Sequence, residues 1–93
     1  MRLIRWFLGC ALAVSLYGTA LAQFRSMSCA ELFARRNGIY KDAGLCFHTA
    51  RAIRMFGNAG CSFDNAADVP LSHYQRAVIA AINREERERG CPL

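Results

Sequence analysis

Ser28-Cys29-Ala30-Glu31-Leu32-Phe33-Ala34-Arg35-Arg36-Asn37-Gly38-Ile39-Tyr40-Lys41-Asp42-Ala43-Gly44 reads as one helix with both ends marked. Ser28 and Glu31 have the spacing of a capping box, in which the hydroxyl accepts a backbone N–H and the acid returns a bond. Met27 and Leu32 occupy the hydrophobic-staple positions that fix how the chain enters the helix. Leu32, Phe33, Ile39, Tyr40 and Ala43 recur at roughly helical spacing, interrupted by Arg36. Lys41 lies in the last turn, and Gly44 can take the left-handed residue that ends it. Gly38 weakens the middle, since an interior glycine costs up to about 1 kcal/mol.

Downstream, Thr49 is the expected N-cap of a short second helix. Ile53 and Phe56 supply its apolar face, and Gly57 or Asn58 stops it. Asn58-Ala59-Gly60 reads as a turn into Cys61, and residues 61–71 lack helical period and hold Pro70, the composition of a loop. Ser72-His73-Tyr74-Gln75 is a second capping box. It opens a third helix whose apolar stripe is read as Tyr74, Val78, Ala81 and Ile82. The run Arg84-Glu85-Glu86-Arg87-Glu88-Arg89 reads as a solvated helix face, with Arg84/Glu88 and Glu85/Arg89 paired four apart. Gly90 ends this helix before Cys91. The expected fold class is all-α: three helices in one small domain.

Upstream, the first 22 residues point to the compartment. Met1-Arg2-Leu3-Ile4-Arg5 is a basic start, Trp6 to Leu16 is apolar, and Ala20-Leu21-Ala22 offers small residues at the −3 and −1 positions of a cut. That is the build of a signal peptide, giving 1–22 as signal and 23–93 as the domain. An uncleaved anchor is the alternative, but the apolar stretch sits at the lower limit of about 17–25 residues, with no basic cluster closing it. A lipoprotein would need acylation at Cys10, which Phe7-Leu8-Gly9 precedes poorly.

The whole chain has 93 residues, 54% of them hydrophobic, and a net charge of +5, so it allows one domain and excludes a disordered chain. The charge is mild for a nucleic-acid binder. Arg25, Arg35, Arg36, Lys41, Arg51 and Arg54 nevertheless outnumber Glu31 and Asp42 in the first half. That basic side would suit anionic envelope polymers or lipid head groups, the plainer reading being solvated surface.

Five cysteines become four when Cys10 leaves with the signal: Cys29, Cys46, Cys61 and Cys91. An even number in a short exported chain implies two disulfides. Cysteine count and spacing leave three connectivities open. Antiparallel packing of the first and third helices would bring Cys29 to Cys91, leaving Cys46 and Cys61 to bridge across the second. No C-x-x-C pair supports zinc and no C-x-x-C-H supports haem, so neither cofactor nor metal is expected.

The segment from Leu32 to Phe47, with Ala52-Ile53-Arg54-Met55-Phe56, resembles a YARHG domain. That family is named for a Tyr-Ala-Arg-His-Gly motif and its pattern includes a preceding Arg-Asn pair and later aromatics. Arg36, Asn37, Ile39, Tyr40, Gly44, Phe47 and Phe56 match those positions over roughly residues 28–61. The naming motif here reads Tyr40-Lys41-Asp42-Ala43-Gly44, keeping only its ends, so no role of the family's central Arg and His carries over. The resemblance implies an extracellular domain of cell-envelope proteins, some of which also carry peptidase domains. It brings no established activity.

Each matched residue also has a structural reading. Tyr40, Phe47 and Phe56 suit a helical core and Gly44 a C-cap, while Arg36 and Asn37 could tie down the loop after Gly44. His48 and His73 lie at helix starts, where surface positions are usual. Asp64 and Asp68 lack EF-hand spacing. The expected function is a non-catalytic binding or structural module, periplasmic or extracellular. Its partner would be envelope polymer or an envelope protein, with membrane contact only through the uncleaved signal. The alternative is a small inhibitor or accessory factor of an envelope-polymer-degrading enzyme, acting through the loop at 61–71.

Overall fold

The computed structural model describes residues 23–92; the expected signal peptide and Cys10 lie outside them. Residues 23–26 are helical, followed by α1 (Cys29–Asp42), α2 (Ala50–Phe56), a single 3-10 turn (Ala66–Asp68) and α3 (His73–Arg89). The described residues form an all-α fold whose one sheet-like feature is an isolated parallel bridge between Leu45 and Phe63.

The helices begin where a hydroxyl can cap them. Ser28, Thr49 and Ser72 side chains accept from the N–H of Glu31, Ala52 and Gln75. At Ser72 the box is complete, because Gln75 Oε1 accepts from the Ser72 N–H at 2.9 Å. At Ser28 only the forward bond forms among the described residues, a correction to the expected box. Gly44 adopts φ +99°, and a β-carbon there would meet the Phe63 ring at 3.4 Å. The positive φ asks for glycine, while the ring would meet a β-carbon only at van der Waals distance.

Two apolar layers hold the helices together. Phe33, Leu45, Phe47, Ala52 and Val69 form one buried cluster, flanked by Tyr40, Phe56 and Phe63. The Phe47 and Phe56 rings stack with centroids 5.4 Å apart. Val69 is only 1% exposed, so the expected loop at 61–71 turns through its 3-10 step to plug the core. The second layer is the seam between α1 and α3, where Leu32 and Ile82 are fully buried. Each sits four residues, one turn, before a member of the Arg36–Glu86 pair that crosses the same seam.

The stripe on α3 differs from the one expected. Its buried residues are Ile79, Ile82 and Glu86, whereas Tyr74 is 75% exposed. The helix is rotated so that the spacing 79, 82, 86 faces inward, and the last member is an acid.

The bridges are Cys29–Cys91 and Cys46–Cys61. With Arg36 meeting Glu86 and Cys29 meeting Cys91, α1 and α3 run antiparallel, and the first bridge clamps their shared end. Disulfides of this kind persist in oxidising compartments. Among the described residues no helix is long and apolar enough to cross a membrane.

Candidate functional site

A groove of about 440 Å³ opens between α1, the non-helical connector after Gly44, and the first turn of α2. Its floor is apolar, from Phe33, Leu45, Phe47 and Ala52, all buried. Its rim is polar: Arg36, His48, Thr49, Arg51 and Asp64.

Arg51 is the most informative rim residue. It lies in the first turn of α2, and its guanidinium carbon stands 3.9 Å from the centre of the Phe33 ring. A cation over an aromatic face gains about 0.5–2 kcal/mol, increasing as water is removed. The ring face engages the cation without using any of its N–H donors. Among the described residues no acceptor or counter-ion meets them, although the side chain is half-buried.

Arg36 is differently placed. It donates from Nε to Glu86 Oε1 at 2.7 Å and from a terminal nitrogen to Oε2 at 3.1 Å, a two-pronged bond. Glu86 is 1% exposed, so this carboxylate is stable inside only because Arg36 meets both of its oxygens. The acid expected on the solvated face of α3 is therefore an interior group. Of the pairs expected there, Glu85–Arg89 forms at 3.0 Å and Arg84–Glu88 is not formed among the described residues.

Asn37 is buried and donates to the Phe33 carbonyl one turn back at 3.0 Å. Neither it nor Arg36 ties down the loop after Gly44. That task falls to Asn58, which accepts from the Phe47 N–H at 2.7 Å and donates to the Phe47 carbonyl at 2.9 Å. One side-chain amide thereby satisfies both backbone groups of the residue at the centre of the groove wall. His48 is exposed and hydrogen-bonds the Asp64 carbonyl at 3.0 Å, closing the rim.

The matched residues thus divide. Arg36, Asn37 and Phe47 border the groove, Phe56 stacks on Phe47, and Gly44 makes the turn that ends α1. Tyr40 faces a second cavity of about 330 Å³ with Arg76 and Ile79. His73 is exposed at the start of α3, away from both. Arg51, Asn58 and Glu86 were not singled out by sequence. Glu86 alone left a signal, since it continues the spacing of Ile79 and Ile82.

A family model of the YARHG domain matches residues 11–87. The chain belongs to that family, and the match takes in α1, α2 and nearly all of α3, more than the segment that first suggested it. No curated protein sequence and no solved structure matches the chain significantly.

Proposed function

We propose that this YARHG-family domain is an exported, non-catalytic module of the cell envelope that binds an envelope polymer or envelope protein through its groove. The observation that carries the reading is where the motif's polar side chains are spent. Arg36 is committed to Glu86 and Asn37 to the Phe33 carbonyl, so both build the fold. Export is supported by the two disulfides and by the basic, apolar and small-residue order of residues 1–22.

Thermal unfolding measured beside retention on isolated envelope material tests this. Phe47→Ala should cost about 3–5 kcal/mol, because a buried aromatic is removed, and should lose retention in step with unfolding. His73→Ala, at an exposed position, should stay within about 0.5 kcal/mol and keep full retention. A His48 or His73 variant that kept its Tm but lost a wild-type enzymatic activity would overturn the non-catalytic reading.

One feature favours a second reading, an inhibitor. Residues 64–68 are all exposed, between the Cys61 bridge and the buried Val69. An exposed loop anchored at both ends is what inhibition by surface insertion requires. Replacing Asp64, Asn65 and Asp68 together with Ala should abolish inhibition of an envelope-polymer hydrolase without lowering Tm if this reading holds.

A further inference from the structure

We infer that the groove over Phe33 is a site for a peptide carboxylate next to an aliphatic side chain, with Arg51 as its anion-binding residue. This deepens the binding reading and rests on it. Among the described residues two unpaired charges line the groove, the half-buried Arg51 and Asp64, which is exposed and solvated. Arg36 is offset by Glu86, and Asp64, the acid on the rim, forms no ion pair with Arg51. Arg51 remains as a half-buried cation held 3.9 Å over Phe33. A guanidinium is a planar fork whose parallel N–H donors match the two oxygens of a carboxylate, and one already resting on a ring loses less freedom on binding.

The floor chooses the rest of the ligand. Phe33 and Phe47 are each 5% exposed, and Arg51 covers the Phe33 face. A sugar ring needs an open aromatic face to stack on, and these rings do not present one. A compact aliphatic side chain can instead fill the apolar floor between Leu45 and Ala52. The groove wall favours the same occupant. It is non-helical backbone, and at His48 neither the N–H nor the carbonyl bonds to another described group. A peptide backbone lying along the wall can pair with both.

The test is a titration of the oxidised, isotope-labelled protein followed by NMR, with acetyl-Ala-Ala-Leu as the free acid and as its C-terminal amide. The acid should shift the backbone amides of Phe33, Phe47, Thr49 and Arg51 saturably, and the amide should bind about tenfold more weakly. Arg51→Gln should erase that preference while leaving the spectrum of α3 unchanged. Arg51→Lys should keep only part of it, since a point charge replaces the fork. Arg54→Gln, which removes an equal charge from an exposed position of α2, should keep all of it. Equal binding of acid and amide, no saturable shift at these residues, or full preference in Arg51→Gln would each overturn the assignment. So would tighter, Arg51-dependent binding of a uronic-acid oligosaccharide at the same amides. Envelope retention persisting in Arg51→Gln would overturn the groove's role in binding while leaving the broader binding function standing.

Discussion

Glu86 carries the largest single-residue consequence in the molecule. A carboxylate 1% exposed has left water, and Arg36 compensates by meeting both oxygens. Removing one partner strands the other charge, so Glu86→Ala should destabilise by about 3–5 kcal/mol in chemical denaturation. The double variant Arg36→Met with Glu86→Leu should recover most of that loss, because a packed apolar pair avoids desolvating two charges. A double mutant as unstable as Glu86→Ala would show that the seam depends on the charges themselves. Sequence reasoning placed Glu86 in solvent for a plain reason. Its place in the spacing of Ile79 and Ile82 was a signal, but an acid in a charge run reads outward, and only the facing helix reveals a partner fifty residues away. The same limit hid Arg51, whose role depends on Phe33 of another helix.

At the scale of elements, the starts of the helices were legible because capping is local. Ser28, Thr49 and Ser72 each bond a backbone N–H within three residues, so type and spacing suffice to find them. Rotation of a helix is set by what it packs against, and there the sequence reading erred by placing Tyr74 on the buried stripe of α3. The connector was equally opaque, since its order comes from Asn58, read as a helix stop or the start of a turn. Two substitutions separate these kinds of stabilisation. Ser72→Ala should cost about 1 kcal/mol, the ordinary value of a cap, with the groove unperturbed. Asn58→Ala removes both partners of the Phe47 backbone and should cost about 1–3 kcal/mol. It should also speed hydrogen exchange at Phe47 and Cys46, which Ser72→Ala should leave unchanged.

At the scale of the whole molecule, the question is how so small a core stays folded. Eight buried apolar residues are described, against a net stability for domains of about 5–15 kcal/mol. Covalent closure supplies a comparable amount. The Cys29–Cys91 bridge closes 62 residues and the Cys46–Cys61 bridge 15, worth about 4 and 3 kcal/mol by chain entropy. The pairing was legible because it follows from helix direction: an antiparallel α1 and α3 bring the first and last of these cysteines together. The two bridges also act on different parts. One clamps the α1–α3 seam and the other holds the connector that walls the groove. Replacing Cys29 and Cys91 by Ser should therefore cost about 4 kcal/mol and weaken the Arg36–Glu86 contact. Replacing Cys46 and Cys61 should cost about 3 kcal/mol and loosen the groove, with α3 intact. Denaturant midpoints with amide exchange on both double variants test this. Equal exchange patterns in the two would mean that the bridges stabilise only the folded whole, and that seam and groove do not open separately.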